Sequence, residues 1–497
     1  MVRKREVDRP DENPEIIVGL VAPLGVDLKR IEDTISDYLR QFKYKTNTLI
    51  LSSLIENVDG LETALFEQPE EKRIDSYMTA GNEAREKAGR GDFLAALAMC
   101  QICQKRQDDA PIPRTAHIFR SLKHPDEVQL LRDIYGEGFY LLGINSSREK
   151  RMQYLTNQKG IPNSEAERLI DRDESEKDNL GQHMKDAFYL ADGFIDSDST
   201  DYKDQIGRIL DLIFGDPYIT PTKDEYAMFF AFVAATRSGD LSRQIGAVVT
   251  APTGEIIATG ANDVPSAEGG LYWSEQGEND KRDYKNGFDA NEKRRNEIIV
   301  NTMKKFDDGL NADELLTKGK ELLENTGILD ITEYGRAVHA EMEALLSCGR
   351  SGVSTRKCSL YSTTFPCHNC AKHIIAAGIS RVVFVEPYPK SRAMDLHSDA
   401  IFLAHEGDMK QKKGKICFEP FVGIGPRRFL DLFSMGLSRG KKVKRKEDGK
   451  IIDWKRSTAC VREPLSPISY IERETFVSGE IDKLLMGGNH GHNKKEQ

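Results

Sequence analysis

The sequence predicts an α/β protein of two domains, each built on a sheet covered by helices. Short strand-like apolar runs alternate with amphipathic helical stretches over the first 215 residues, which is typical of a parallel sheet. After Gly215-Asp216-Pro217 the pattern changes to a hairpin and then to helix and strand in turn. A length of 497 residues is sufficient for two or three domains with their own cores.

The first predicted domain covers residues 15–215, after a polar segment, 1–14, that we expect to be flexible. It opens with a strand at 16–21, a glycine-containing loop and a helix at 28–42. The later predicted elements are a helical segment at 78–105, a strand at 115–119, a helix at 125–135, strands at 138–144 and 191–195, and a helix ending at 214.

The second predicted domain covers residues 216–475. Strands at 245–250 and 255–259 flank a Pro-Thr-Gly turn, and a charged insert of about 266–335 follows them. The other predicted elements are helices at 222–238, 340–348 and 367–377, and strands at 359–362 and 381–385. The glycine-rich polar tail, 476–497, is expected to be disordered.

Composition excludes several classes of protein. The formal charge of −9 disfavours general attraction to nucleic acid. The apolar stretch at 16–26 is interrupted by glycine and proline and is too short to span a bilayer. The start of the chain lacks a secretion signal, so the eight cysteines are expected to be reduced thiols, core residues or ligands. We therefore predict a cytoplasmic protein without membrane contact.

Two short motifs predict a zinc site. His339-Ala340-Glu341 precedes Pro366-Cys367-His368-Asn369-Cys370, and both motifs come at the start of a predicted helix. One imidazole and two thiolates suit zinc, and three protein ligands leave a position open for water, as in catalytic zinc sites. This H-x-E…P-C-x-x-C arrangement is the signature of zinc-dependent nucleobase deaminases. His339, Cys367 and Cys370 are therefore the predicted ligands.

Glu341 is the predicted catalytic residue, because it lies two residues from a ligand and has no place in a purely structural site. It would take a proton from water and pass it to the base and to the departing ammonia. The alternative is a structural zinc knuckle, which needs a fourth protein ligand. The candidates for that ligand are Cys348, Cys358, His368 and His373.

The residues before the metal motifs indicate the substrate. The run Arg243–Val249, followed by Gly260-Ala261-Asn262, resembles the first hairpin of the cytidine deaminase superfamily, whose domains are three-layer α/β/α structures. The resemblance implies that Asn262 contacts the sugar or base; the alternative is that it only shapes a turn. It places Thr364 in the base pocket, and Tyr388 could stack on the base or be a surface or core residue. The match is closest to deoxycytidylate deaminases, apart from the long insert.

The first loop resembles a phosphate-binding loop in its position between strand and helix. Gly19, Pro23 and Gly25 lie in or near it, and backbone N–H groups there could hold phosphate. The lysine and hydroxyl residue of a P-loop are missing, because Val26 and Asp27 follow Gly25. Asp27 would repel phosphate but could cap the helix. The domain therefore resembles a degenerate P-loop domain of the nucleotide-kinase type.

The two halves together resemble the bacterial antiphage dCTP deaminases. This resemblance implies deamination of dCTP, dCMP or both, depletion of dCTP during infection, and homo-oligomers with a restrained resting state. Candidate partners are an NTP or another regulatory ligand in the N-terminal domain, and a regulatory RNA at the basic run 441–446, where we expect an exposed hairpin. The alternatives are a deaminase acting on single-stranded nucleic acid and a housekeeping dCMP deaminase for dTMP synthesis.

Overall fold

A computed structural model describes residues 14–108, 110–175, 183–307, 309–324, 326–388, 391–404, 414–436, 442–465 and 467–487. Residues 1–13 and 488–497 of the two predicted tails, and Lys441 of the basic run, lie outside these ranges. The chain divides into two compact units. The first contains the described residues up to Glu225 and from Val422 onward, and the second is Tyr226–Phe421.

The eight strands predicted with limits all occur, within two residues of those limits, and the structure adds unpredicted strands at 45–50, 401–403, 416–420 and 423–424. The strands are β1 Ile16–Val21, β2 Lys45–Ile50, β3 Thr115–Arg120, β4 Phe139–Asn145, β5 Gly193–Asp196, β6 Gly246–Thr250, β7 Ile256–Ala261, β8 Ser359–Thr364, β9 Arg381–Glu386, β10 Ile401–Leu403, β11 Ile416–Pro420, β12 Gly423–Ile424, β13 Lys446–Glu447 and β14 Lys450–Ile451.

The helices vary from single turns to long segments. They are α1 Leu28–Gln41, α2 Leu51–Leu54, α3 Glu70–Ala88, α4 Phe93–Lys105, α5 Pro125–Tyr135, α6 Arg148–Gln153, α7 Asn163–Ser175, α8 Met184–Phe188, α9 Tyr202–Ile213, α10 Lys223–Ala235, α11 Asp283–Asn286, α12 Ala290–Met303, α13 Ala312–Leu323, α14 Ala340–Arg350, α15 His368–Ala376, α16 Ala393–Leu396, α17 Phe429–Phe433 and α18 Pro467–Gly487.

The first unit contains a sheet in the order β12-β5-β4-β1-β3-β2. Strands β1 to β5 are parallel, which confirms the predicted parallel sheet, and β12 joins the edge in the antiparallel direction. Every residue of the central strand β1 is buried. Such a strand is covered on both faces, and this explains its unbroken apolar run.

Two predicted helical segments differ from the structure. Residues 78–105 belong to two helices, because Gly89 adopts φ 65° and ends α3 before α4 begins. The tail expected to be disordered from 476 continues α18 as far as Gly487. Glu474 of α18 is fully buried and pairs with Arg106 at 2.8 Å, and this contact anchors the helix.

The predicted domain limits at 215 and 475 also differ from the observed units. Residues from Val422 onward belong to the first unit, where Gly423 pairs with Phe194 across β12 and β5. Arg462 donates to the carbonyl of Leu432 within this segment. The expected basic hairpin is formed by β13 and β14. The pairing of Gly423 with Phe194 joins residues far apart in sequence, so local patterns do not indicate it.

The second unit contains a sheet in the order β10-β11-β9-β8-β6-β7. Strands β6 and β7 form the predicted antiparallel hairpin, and β8, β9, β11 and β10 are parallel. Helix α10 approaches Gly246 on one face, whereas α14 approaches Gly260 on the other. Gly246 pairs with Ala261, the neighbour of Gly260, so the two helices lie on opposite faces. This arrangement confirms the three predicted layers.

The two ends of the insert lie side by side next to the metal motif. Asp263 and Val338 form an antiparallel bridge with hydrogen bonds of 3.2 and 2.9 Å, directly before His339. Within the insert, α12 and α13 pack around a small core formed by Ile299, Met303 and Leu315. No helix in the described part of the chain is long and apolar enough to cross a membrane.

Candidate active site

Two helix N-termini carry the predicted metal ligands. His339 is the N-cap residue of α14, and Cys367 is the N-cap residue of α15. The Sγ of Cys367 accepts the backbone N–H of Cys370 at 3.5 Å. The positive ends of helix dipoles stabilise thiolates, so this local structure prepares both cysteines to bind a cation.

The three ligand atoms form one cluster. His339 Nδ1 lies 3.3 Å from the Sγ of Cys367 and 3.3 Å from the Sγ of Cys370. All three atoms lie within 4.8 Å of one another. Two ligands on a tetrahedral zinc ion, with bonds of roughly 2.0 to 2.3 Å, are separated by about 3.5 Å. The residues therefore fit zinc, and their donor set is that of a zinc site.

The described residues offer no fourth protein ligand at this cluster, which consists of one histidine and two cysteines. Cys358 donates its thiol to the carbonyl of Ser354 at 3.7 Å. His373 contacts the carbonyl of Asn369 at 2.7 Å. Neither Cys348 nor His368 belongs to the cluster. The arrangement matches a site with an open coordination position rather than a closed structural knuckle.

Hydrogen bonds among the ligands control where their protons lie. A hydrogen bond from the Cys370 thiol and the nearby His339 charge lower the pKa of Cys367 to about 4. The same Cys367 raises the pKa of His339 to about 9, and it also raises the pKa of Cys370. Cys367 is thus a thiolate at neutral pH, the form that binds metal.

Glu341 lies against the cluster without belonging to it. Its side chain is buried, with Oε2 at 3.3 Å from Cys370 Sγ and Oε1 at 3.5 Å from the hydroxyl of Ser362. Burial raises the pKa of Glu341, with a further contribution from the Cys367 charge. A carboxyl group in such a setting is suited to taking up and releasing a proton. The contact of Ser362 with Glu341 was not predicted, although the place of Ser362 in the strand ahead of Pro366 is a signal for it.

Asn262 is buried at the end of β7, and both ends of its amide bind backbone. Its Oδ1 accepts the N–H of Ile245 at 2.7 Å, and its Nδ2 donates to the carbonyl of Arg243 at 2.8 Å. Ser238 donates its hydroxyl to the Asn262 carbonyl at 2.6 Å. Asn262 therefore fixes the segment that leads into β6, and its contact with substrate stays a prediction.

Thr364 and Tyr388 lie near the ends of β8 and β9. The hydroxyl of Thr364 donates to the carbonyl of Glu386 at 3.3 Å, and its side chain is buried. Tyr388 is partly buried and packs against the core of the second unit. Their roles in the base pocket stay predictions.

Two glycines that the sequence did not single out allow the helices to approach the sheet. A Cβ at Gly260 would lie 2.1 Å from the carbonyl oxygen of Ala340, the residue after His339. A Cβ at Gly246 would lie 1.9 Å from the carbonyl oxygen of Ala231. A glycine inside a strand is the signal that could have indicated this, because it often marks a close backbone approach.

The predicted phosphate loop occupies the first unit between β1 and α1. Gly19 lies within β1 rather than in the loop, and a Cβ there would lie 2.6 Å from Leu122 Cδ1, so its small size serves core packing. Pro23 and Gly25 are in the loop, and Gly25 adopts φ +93°. Asp27 caps α1 by accepting the N–H of Arg30, as predicted.

A carboxylate occupies part of this loop. Asp173 accepts the backbone N–H of Leu24 at 2.7 Å and the Lys123 ammonium at 2.7 Å. Lys123 also donates to the carbonyl of Ala22 at 3.0 Å. The sequence did not indicate Asp173, which lies about 150 residues from the loop. The P-loop identity of this domain stays a hypothesis.

Comparison with known proteins agrees with the geometry of the second unit. Residues 221–386 match the family model described as the cytidine and deoxycytidylate deaminase zinc-binding region. The deoxycytidylate deaminase of Pongo abelii is 27% identical over 163 residues, 32% of this chain and 63% of that protein. The chain thus spans less than two thirds of that relative.

Two further proteins are similar to part of this chain. A probable deoxycytidylate deaminase of Drosophila melanogaster is 27% identical over 221 residues, 43% of this chain and 86% of that protein. The crystal structure of the apo dCMP deaminase of cyanophage S-TIM5 is 18% identical with a TM-score of 0.22, covering 40% of this chain and 99% of that one. The C-terminal half of the chain therefore contains a zinc-binding domain of the cytidine and deoxycytidylate deaminase type.

Proposed function

We propose that this protein is a zinc-dependent hydrolytic deaminase of deoxycytidine nucleotides. One observation carries the proposal: a buried carboxyl group, Glu341, contacts a cluster of one histidine and two cysteines that has the donor set of a catalytic zinc site. The match of this region to the deaminase zinc-binding region supports the same conclusion.

His339, Cys367 and Cys370 would hold the ion. Zinc, when bound, supplies a Lewis acid that lowers the pKa of water from 15.7 to about 7. Glu341 would accept a proton from the attacking water on Oε1 or Oε2 and deliver it to N3 of the cytosine ring. It would then take the second proton, from the new C4 hydroxyl, and deliver it to the departing amine. The C4–N bond breaks, a C4–O bond forms, and ammonia leaves.

The Ser362 hydroxyl lies 3.5 Å from Oε1 of Glu341, and Cys370 Sγ lies 3.3 Å from Oε2. A metal-bound Cys370 thiolate has no proton to donate, so Ser362 is the donor that would orient the carboxylate during proton transfer. Asn262 would orient the sugar or base, as the resemblance to the cytidine deaminase hairpin implies, while its amide also fixes the segment at the start of β6. Thr364 and Tyr388 would complete the base pocket.

The substrate we propose is dCTP, dCMP or both. The named relatives are deoxycytidylate deaminases, which supports a deoxycytidine nucleotide. The resemblance of the two halves of the sequence to the antiphage dCTP deaminases supports a regulated enzyme that depletes dCTP in defence against phage. The same resemblance supports a homo-oligomer controlled through a ligand or RNA. The housekeeping dCMP deaminase is the alternative, and it predicts activity on dCMP but not on dCTP.

Ammonia release tests the proposal. The purified chain is incubated separately with dC, dCMP, dCTP, CTP and single-stranded DNA. We expect ammonia and the corresponding deoxyuridine product from dCTP, dCMP or both. Activity confined to single-stranded DNA would refute the free-nucleotide proposal and favour a nucleic-acid editor, which the net charge of −9 disfavours.

A further inference from the structure

The first unit contains a cavity of about 240 Å³ at the carboxyl edge of its parallel sheet. Its wall includes residues 22–26 after β1, residues 50–52 at the end of β2, and Arg120, Ser121 and Lys123 at the end of β3. In open α/β sheets, ligands bind in the crevice outside the carboxyl ends of the strands. The position of the cavity thus favours a ligand site.

The wall of the cavity carries an excess of positive charge. Its cationic side chains are Arg73, Arg85, Arg120, Lys123 and Lys159. Only two carboxylates, Glu70 and Asp173, share the described wall with these five cations, whereas the whole chain has a net charge of −9. A concave surface of one sign in a protein of the opposite sign favours a bound counter-ion, which here is an anion.

The cations differ in how firmly the protein holds them. Lys123 forms an ion pair with Asp173, with an Nζ–Oδ1 distance of 2.7 Å. Arg73, Arg120 and Lys159 retain 37%, 24% and 41% of their side-chain exposure. Arg120 contacts Glu32 at a distance of 3.3 Å, and Lys159 contacts Glu70 at 3.6 Å. Those two longer contacts leave Arg120 and Lys159 able to turn toward a phosphate.

Arg85 is the most deeply buried of the described cations in this wall. It is 2% exposed, its two terminal nitrogens contact Asn82 and Glu127 at 3.3 Å, and its Nε has no hydrogen-bond acceptor. Arg85 lines the cavity together with the other four cations, so it adds to the positive charge that a phosphate would meet there.

The rest of the wall is apolar and aromatic, and it limits the size of the ligand. Its apolar members are Ile55, Ile74, Met78, Leu94 and Leu155, with the rings of Tyr77 and Tyr154. A volume of about 240 Å³ is below the range of roughly 300–1,000 Å³ that is typical of drug-sized ligands. The cavity suits one phosphate group on a small ring-bearing body better than a long polyphosphate.

We propose that this cavity binds a small organic monophosphate with an apolar or aromatic body, the class to which nucleoside 5′-monophosphates belong. Arg120 and Lys159 contact the phosphate, and the tyrosine rings contact the body of the ligand. The site belongs to the first unit and is separate from the zinc cluster of the second unit. It does not depend on the proposed deaminase activity.

Calorimetric titration of the full-length chain with AMP, GMP, dTMP and dUMP tests this proposal. Thymidine and inorganic phosphate, the two parts of dTMP, are titrated separately as controls. We expect at least one monophosphate to bind at least about tenfold more tightly than either part, which is about 1.4 kcal/mol. The His339→Ala variant, which lacks a metal ligand, should bind it equally. Loss of binding in that variant would place the ligand in the deaminase centre and overturn the proposal.

Charge variants locate the site. Arg120→Ala combined with Lys159→Ala should raise the Kd at least about tenfold. Lys72→Ala, which removes an exposed lysine from the same helix as Arg73, should leave it unchanged. Asp173→Asn removes a negative charge from the wall and should lower the Kd. The proposal would be refuted if the Kd were unchanged both in the Arg120→Ala, Lys159→Ala double variant and in Asp173→Asn. It would also be refuted if no monophosphate bound at about 1 mM.

Discussion

Glu341 Oε2 lies 3.3 Å from the Sγ of Cys370, so the carboxylate of the proposed proton carrier contacts the metal ligands without being one of them. Metal binding and proton transfer therefore belong to different side chains in this site. The cysteines and His339 bind the ion, and Glu341 moves the proton. Each function can therefore be removed alone.

Glu341→Gln should retain zinc and lose turnover. The amide keeps the size of the side chain but cannot accept the proton, and general acid–base catalysis contributes about 10²–10⁴-fold. Metal content by atomic absorption and ammonia release measure the two functions separately. Glu343→Gln is the matched control, because Glu343 is also buried in α14 but pairs with Arg350. Loss of zinc from Glu341→Gln would mean that Glu341 is a ligand.

Cys367→Ser should lose zinc and activity together, because it removes the thiolate that has the lowest pKa in the cluster. Cys348→Ser is the control, since Cys348 is buried in the same unit but lies outside the cluster. We expect the control to retain its zinc. Zinc loss in Cys348→Ser at unchanged folding would support the structural knuckle instead.

Gly260→Ala should destabilise the second unit by about 1–3 kcal/mol, because the new Cβ would lie 2.1 Å from the carbonyl oxygen of Ala340. The clash pushes away the start of α14, so zinc affinity should fall as well. Gly349→Ala, in the same helix but with open space around it, should be neutral or slightly stabilising. Chemical denaturation and zinc titration check both variants, and equal stability of the two would contradict the close approach.

Asn262→Ala should lower the free energy of unfolding by about 1–3 kcal/mol, because it leaves the backbone groups of Ile245 and Arg243 without their partners. If Asn262 also contacts the nucleotide, KM rises at a temperature where the variant is fully folded. Thermal unfolding and steady-state kinetics separate the two effects. A purely structural role predicts a lower Tm with unchanged KM.

Removal of zinc by a chelator should abolish ammonia release and lower the Tm, since bound metal stabilises the folded state by mass action. Adding back zinc should restore both. Monophosphate binding to the cavity of the first unit should survive the chelator. An active chelated enzyme, shown by metal analysis to lack zinc, would contradict the proposed chemistry.

Much of the site was predictable because its signals are local. The spacing of His339 from Glu341 and of Cys367 from Cys370 is fixed by the first turn of a helix, and helix starts follow from nearby residues. The strand–loop–helix order around Gly25 and the hairpin before Asn262 were also predicted from period and turn residues. Both are found in the structure.

The remaining features depend on contacts between distant residues. The amide of Asn262 binds backbone 17 to 19 residues away, and Asp173 reaches the loop at Leu24 from 149 residues away. Pairing between β12 and β5 assigns the end of the chain to the first unit. No periodicity records such pairings, because they depend on which surfaces meet after the elements form.

The sequence by itself determined the ligand set and its chemistry, since the donor atoms and their helix caps are properties of short segments. The tertiary structure decided which groups surround them. Gly260 lets α14 reach the sheet, Ser362 holds Glu341, and no fourth protein ligand closes the cluster among the described residues. The physical reason is that ligand identity is local, whereas an open coordination position and a buried carboxyl group exist only once distant segments have packed.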